Sequence, residues 1–239
     1  MRNYAAAQLT GLRDNQCDAT AVFTDRRTGA RAYVLLDGIG DTVDVQEWTR
    51  AAARRLARTA ARRGDAELGL RAVYDAYAER GGDGPNAVAV VAVTVPGMPM
   101  TIAWCGDARA YLVVDGAAQK LTDDHNLRRV FGGRRNIVTS YLGSAHTDDE
   151  VKYRFGHAAI ESGSHPAANV RLLLASDGAY DPHEDAGHNL ANLLTGTPRQ
   201  AARRFNATAV TESLAASRAL DPNRPYADNA TVLVADLTG

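Results

Sequence analysis

The sequence predicts an α+β fold in which two antiparallel sheets lie between outer helices. Short runs typical of strands outnumber the helical segments. Two helical segments follow one another directly in the first third of the chain. Strands and helices do not alternate strictly, as they would in a doubly wound parallel sheet. A layered arrangement with helices outside the sheets is therefore favoured.

Strand-like runs rich in β-branched and aliphatic residues occur at intervals along the chain. They are residues 19–23, 32–36, 87–95, 101–105, 110–114, 117–121, 170–175 and 230–236. The first two are joined by TDRRTGAR and resemble a hairpin, while Pro96-Gly97 and Asp115-Gly116 mark later turns. Antiparallel neighbours joined by short connections are therefore expected.

Three segments carry the helical period of three and four residues. Residues 45–63 end before Gly64, which is suited to terminate a helix. Asp65 is placed to cap a second helix running to residue 79, and a late helix is predicted over residues 199–219. Residues 122–168 are polar and weakly periodic, so we expect loops, short helices and a mobile segment there.

The composition excludes several classes of protein. The 239 residues are 45% hydrophobic and 23% charged with a net charge of −1, so no basic face for nucleic acid is implied. No run approaches the roughly 20 apolar residues of a membrane helix, and the N-terminus lacks the apolar core of a signal peptide. Two cysteines suit a reducing compartment. We expect a cytoplasmic monomer that binds neither membrane nor nucleic acid.

Aspartates recur beside the apolar strand-like runs. Taken singly, each is a common turn residue, but clustered carboxylates repel one another and resist ionisation unless a cation holds them together. All-oxygen sites suit Mg²⁺, Mn²⁺ or Ca²⁺. Five separate segments contribute such a residue, namely Asp18, Asp37, Asp107, Asp177 and Asp228.

Seven motifs occur in a fixed order between residues 11 and 236. They read GLRDNQCD, VLLDGIG, CGDARAYLV, LTDDHNL, YLG, LLLASDGAYD and DNATVLV. This ordered set resembles the motif series of the metal-dependent protein phosphatases (PPM, protein phosphatase 2C type), and in particular a bacterial single-domain member. The resemblance implies one catalytic domain over residues 1–239 with a flap-like insertion around 122–168. It also implies a four-layer α/β/β/α sandwich with two central antiparallel sheets.

The resemblance implies a site for two divalent ions, Mg²⁺ or Mn²⁺. Asp37 resembles the carboxylate that bridges both metals, with the carbonyl of Gly38 on one of them. Asp177 and Asp228 resemble the ligands of the other metal. Asp18 resembles an acidic residue that supports the metal-bound waters.

Three further residues complete the implied site. Arg13 resembles the arginine that grips the substrate phosphate, and Asp107 and Asp181 resemble carboxylates of a third, more loosely held metal. Two metal ions about 3.5–4 Å apart can activate a water to attack phosphorus. The expected activity is hydrolysis of phosphoserine and phosphothreonine in proteins.

Two residues depart from the family pattern. Cys17 stands where an acidic residue or amide is usual, and Ile39 stands where many eukaryotic members have a histidine that could protonate the leaving group. These departures leave open a pseudophosphatase that acts as a binding or regulatory module. The polar 122–168 segment leaves open a hydrolase of small phosphate esters.

Overall fold

The computed structural model describes residues 3–82, 84–166 and 168–237, and its strands form two five-stranded antiparallel sheets. The first sheet has the order β1-β10-β9-β6-β7 and the second the order β2-β3-β4-β5-β8. The strands are β1 Tyr4–Leu9, β2 Ala19–Thr24, β3 Arg31–Ile39, β4 Asn86–Thr94, β5 Met100–Cys105, β6 Arg109–Val114, β7 Ala117–Lys120, β8 Glu161–His165, β9 Val170–Ala175 and β10 Ala230–Leu237. The predicted α+β class with two central antiparallel sheets is confirmed.

Helices cover the outer face of each sheet. Helices α1 and α2 pack on the second sheet, and α7 packs on β1 and β10 of the first, with α5 against α7. The described residues form α1 Val43–Arg63, α2 Ala66–Ala78, α3 Leu127–Phe131, α4 Asp148–Phe155, α5 Asp177–Asp185, α6 Leu190–Leu193 and α7 Pro198–Leu220. The layers therefore follow the order α/β/β/α. None of the helices among the described residues is long and apolar enough to cross a membrane.

Strand β4 shows why the central strands are apolar without alternation. Val88 and Val90 face the core between the two sheets, whereas Ala89 and Val91 face α1 and α2. Because both faces of the strand are covered, its residues are apolar at successive positions rather than at alternate ones. Each fully buried valine contributes about 1.5–3 kcal/mol relative to an exposed one.

The first two helices begin at recognisable caps, and α1 starts at Val43, two residues before the predicted start. Thr42 accepts a hydrogen bond from the backbone N–H of Val45 at the start of α1. Gly64 ends α1 with φ of 66°, in the left-handed region that glycine adopts without strain. Asp65 accepts from the N–H of Leu68 and starts α2. The Leu68 side chain itself is 55% exposed, so α2 buries a face that excludes it.

Several elements were not expected from the sequence. Strand β1 has an alanine-rich sequence without β-branched residues, and its place is decided by pairing with β10. Strand β8 lies within the segment 122–168, where the expected short helices are present as α3 and α4. Strand β3 continues past Leu36 through Asp37 and Gly38, because both residues remain paired with β4. The loop-rich description of 122–168 was therefore incomplete.

Candidate metal centre

A cavity of about 240 Å³ opens at the ends of β3, β9 and β10. Most of the residues singled out in the sequence meet on its wall, although they come from five distant segments. They are Arg13, Asp37, Gly38, Asp107, Asp177 and Asp228. Ile39 lies on the same wall, as its place in the motif implies, and Asn136, Tyr226 and Asn229 lie there without having been predicted.

Two glycines allow the segments that carry the carboxylates to approach one another. A Cβ atom at Gly38 would lie 2.5 Å from the carbonyl oxygen of Cys17, so a larger residue would push β3 away from the first motif. A Cβ atom at Gly178 would clash with the carbonyl oxygen of Asn229. These close approaches bring the backbones of four motifs together in two pairs.

Asp18 lies behind the cavity wall and does not line it. Its side chain is 1% exposed, and neither carboxylate oxygen has a hydrogen-bond partner within the described residues. The hydroxyl of Thr231 is equally buried and unpartnered. Burial raises the pKa of Asp18 to about 7, and the charge of Asp177 adds to the rise. The side chains of Thr231 and Ser176 lie close to the Asp18 carboxylate and limit the rise in its pKa. Neither is oriented to form a hydrogen bond with it.

The carboxylates on the wall also disfavour each other's ionisation. Burial raises the pKa of Asp37 well above its usual range, and the charges of Asp18 and Asp177 raise it further. Burial and the charge of Asp177 likewise raise the pKa of Asp107. Burial and the charge of Asp228 raise the pKa of Asp177. Asp177 lies in the first turn of α5, where the backbone N–H of Gly178 stabilises its carboxylate and offsets part of this rise. A nearby divalent cation would reverse this tendency.

The donor set fits a divalent cation. Buried carboxylate oxygens without partners are costly unless something pairs with them, and oxygen ligands without sulfur or imidazole suit Mg²⁺ or Mn²⁺. No group of three or more His, Cys, Asp or Glu side chains within residues 3–82, 84–166 and 168–237 has an arrangement that could hold an ion. The oxygens would have to draw together around a bound cation.

Arg13 is held at the cavity by Tyr226 and Asp228. Its guanidinium donates to Asp228 Oδ2 at 2.8 Å and to the hydroxyl of Tyr226 at 2.6 Å. The tyrosine hydroxyl in turn donates to Asp228 Oδ2 at 2.6 Å, and the guanidinium carbon lies 5.3 Å from the centre of the ring. Tyr226 is therefore a functional candidate that the motif comparison did not indicate, although it stands only two residues before Asp228.

Asn229 fastens the first motif to the end of β10. Its side-chain oxygen accepts from the N–H of Cys17 at 2.7 Å. Its side-chain amide donates to the carbonyls of Thr10 at 2.9 Å and Asn15 at 3.0 Å. The loop that carries Arg13 is thus positioned by a residue more than 200 places away in the sequence.

Asp181 lies apart from the cavity and is already paired. Its carboxylate accepts from Arg135 Nε at 2.9 Å, and the same arginine holds Asp185. Burial and the charge of Asp177 nevertheless raise the pKa of Asp181 to about 7. Asp181 thus lies next to the carboxylate cluster, but it does not line the cavity with Asp107.

The two residues that depart from the family pattern have different surroundings. Cys17 is 1% exposed, and its Sγ lies 3.7 Å from the carbonyl oxygen of Thr42. Burial raises the pKa of this thiol. Ile39 is 42% exposed and lines the cavity, where it presents no group that can exchange a proton.

Three bacterial phosphatases have structures similar to this one over nearly the whole of both chains. The serine/threonine phosphatase of S. agalactiae has a TM-score of 0.74 at 20% identity, with 98% of this chain and 99% of that chain covered. The PPM Ser-Thr phosphatase of Mycobacterium smegmatis, in complex with cacodylate, has a TM-score of 0.72 at 24% identity, with coverage of 98% and 97%. The serine/threonine phosphatase Stp1 of Staphylococcus aureus has a TM-score of 0.72 at 21% identity, with coverage of 100% and 96%.

The sequence matches no protein-family model and no curated protein. The TM-scores and the coverage establish a shared fold, and at identities of 20–24% they establish the fold alone.

Proposed function

We propose that this chain, which has the fold of the bacterial PPM-type serine/threonine phosphatases, hydrolyses phosphoserine and phosphothreonine in proteins. The observation that carries the proposal is the convergence of four aspartates and one arginine on one cavity. Phosphate ester hydrolysis needs a cation for the phosphoryl oxygens and an activated water. Carboxylates that gather metals, with an arginine beside them, supply both requirements.

Each of the site residues expected from the sequence has a role in this proposal. Asp37, Asp177 and Asp228 would hold two divalent ions with the Gly38 carbonyl, and Asp18 would support them from behind. The bound metals would supply Lewis acidity and lower the pKa of a water molecule. Arg13 orients the phosphate, since a planar guanidinium matches two phosphoryl oxygens. Its present partner Asp228 would be released to the metal. Asp107 and Asp181 would hold a third ion, for which Asp181 would have to leave its present partner Arg135.

The experiment that tests the proposal measures phosphate release from a phosphoserine peptide and from an aryl phosphate with and without Mn²⁺. Asp37→Asn and Asp177→Asn should each lower kcat by about 100-fold or more, because a neutral amide is a poor ligand for a hard cation. Asp75→Asn on the exposed face of α2 is the matched control. Metal-dependent activity that survives both cavity substitutions would refute the two-metal assignment.

Ile39 predicts a preference among leaving groups. A serine alkoxide needs a proton as it departs, whereas an aryl oxide does not, and isoleucine cannot donate one. We expect a higher kcat for aryl phosphates than for phosphoserine peptides, with the gap narrowed in Ile39→His. Equal kcat for both substrates, with no separate acid limb in the pH profile, would show that this position does not limit the reaction.

A pseudophosphatase with the same fold is the second candidate. The observation that favours it is the Arg13–Asp228 ion pair, which occupies a proposed metal ligand and the proposed phosphate-binding arginine together. Calorimetric titration with Mn²⁺ separates the two candidates. Binding that disappears in Asp37→Asn supports the enzyme, while absence of both binding and phosphate release supports the regulatory module.

A further inference from the structure

A second cavity of about 710 Å³ adjoins the first. We call it the α5–α7 groove, because those two helices form its walls. The two cavities share Asn136, Asp177, Tyr226 and Asp228, so a chain entering one can continue into the other. Residues that flank a phosphorylated side chain in the first cavity would therefore lie along the groove.

The α7 wall of the groove carries an exposed apolar strip. Ala215, Ala216 and Leu220 face it, and Leu220 is 90% exposed. The stretch from Glu212 to Leu220 covers about 12 Å of helix at 1.5 Å per residue. That length corresponds to three or four residues of extended chain.

The acidic residues on the two sides of the groove differ in whether an arginine pairs with them. Arg135 is engaged by both Asp181 and Asp185 on the α5 side, at 2.9 Å and 2.6 Å. Glu212 on the α7 side has no Lys or Arg within 4 Å among the described residues, and its nearest ionisable partner is His188 Nε2 at 3.8 Å. Glu212 is half-buried, with 38% of its side chain exposed. One acidic group therefore remains open to a cation.

An apolar strip that ends in a carboxylate paired with neither lysine nor arginine among the described residues matches a side chain with an aliphatic stem and a cationic head. Lysine and arginine pack their methylene groups on apolar surfaces and place the charge at the tip. We propose that the α5–α7 groove binds a lysine or arginine of the protein substrate within about four residues of the phosphorylated position, with Glu212 as its partner. This inference rests on the proposed phosphatase function and adds a sequence preference to it.

The test uses phosphoserine peptides in which one arginine is moved through positions −4 to +4 of an otherwise neutral sequence. Each is paired with a peptide that carries citrulline, the neutral isostere, at the same position. For at least one position, kcat/KM should be two- to fivefold higher with arginine, the range of a partly exposed ion pair. The ratio should fall toward one at high salt.

Variants at Glu212 assign the preference. Glu212→Gln should lower the ratio of kcat/KM between the arginine and citrulline peptides to one. Glu212→Arg should make the citrulline peptide the better substrate. Glu79→Arg is the matched control, because Glu79 is exposed at the end of α2 on the opposite outer layer and should keep the wild-type ratio. Circular dichroism verifies that each variant is folded.

A wild-type ratio of one at every position, or a ratio unchanged in Glu212→Arg, would overturn the proposed groove. Absence of phosphate release from every peptide and from an aryl phosphate would instead refute the proposed function. In that case, fluorescence anisotropy measures the affinity of the protein for the same arginine and citrulline peptides. The arginine peptide should bind two- to fivefold more tightly, and the same Glu212 variants should change this ratio.

Discussion

At the scale of single residues, Tyr226 links the two charged groups that the cavity depends on. Its hydroxyl accepts from Arg13 and donates to Asp228, both at 2.6 Å. Its backbone is fixed on α7, where its N–H donates to the Ser217 hydroxyl at 2.9 Å and its carbonyl accepts from that hydroxyl at 2.9 Å. The tyrosine therefore transmits the position of α7 to the arginine.

Tyr226→Phe should weaken phosphate binding while leaving the fold intact. The substitution removes a hydrogen bond from a charged donor, and such bonds contribute about 1.5–3 kcal/mol. We expect the inhibition constant for inorganic phosphate and the KM to rise about tenfold, with a smaller change in kcat. Steady-state kinetics with phosphate as a product inhibitor measures this split.

Tyr153→Phe provides the comparison, since Tyr153 is 93% exposed and should behave as the wild type. If phosphate inhibits Tyr226→Phe as strongly as the wild type, then Tyr226 does not position Arg13.

At the scale of elements, α1 and α2 are joined by a contact that only glycine permits. Gly69 of α2 is buried, and a Cβ atom there would lie 2.5 Å from both Cα and Cβ of Ala60 in α1. The two helices cover the outer face of the sheet that contains β3 and therefore Asp37. Helix propensity alone would favour alanine at this position by about 1 kcal/mol, so the contact outweighs the propensity.

Gly69→Ala should lower the free energy of unfolding by about 1–3 kcal/mol. The obstructing atoms belong partly to the backbone, so the helices must move apart, at the usual cost of overpacking. Urea denaturation followed by circular dichroism measures the change. Gly84→Ala is the control because, apart from its chain neighbours, no atom of the described residues lies within 4 Å of a Cβ built there. A variant as stable as the wild type would show that α1 and α2 can separate without cost.

At the scale of the whole molecule, the layered fold concentrates carboxylates in a buried or partly buried region between its strand ends. Burial raises the pKa of Asp18 to about 7 from an ordinary value of 3.8. Between these two pH values the folded protein retains a proton that the unfolded chain has lost. The stability of the metal-free protein should therefore fall as the pH rises from about 4 to about 7.

Asp18→Asn should reduce the fall in stability of the metal-free protein with rising pH. In EDTA, the melting temperature of the wild type should fall relative to that of the variant between pH 5 and pH 8. A difference of about 1–2 kcal/mol corresponds to several degrees for a chain of this size. Comparison with the exposed-site variant Asp75→Asn removes the contribution of other titrating groups.

Mn²⁺ should raise the wild-type melting temperature most at pH 8, where the carboxylates must otherwise be ionised without a partner. A wild type that becomes more stable than Asp18→Asn as the pH rises would contradict the assignment.

The sequence by itself determined the class of fold, the approximate extents of α1, α2 and α7, and the acidic residues that flank the strands. The helical periodicity of residues 45–63 and the apolar content of residues 170–175 predict their secondary structure. Thr42 and Asp65 cap helices through hydrogen bonds to residues three places away. Such information is local, because hydrophobic periodicity and capping act over a few residues.

Only the tertiary structure decided which of these side chains meet. Asp18 lies behind the cavity, Asp181 is paired with Arg135, and Tyr226 joins Arg13 to Asp228. Each of these outcomes depends on the pairing of strands and the packing of helices that are far apart in the chain, as with Asn229 and the N–H of Cys17. No local pattern encodes such a meeting, because its geometry is set by two packed sheets rather than by the spacing of residues.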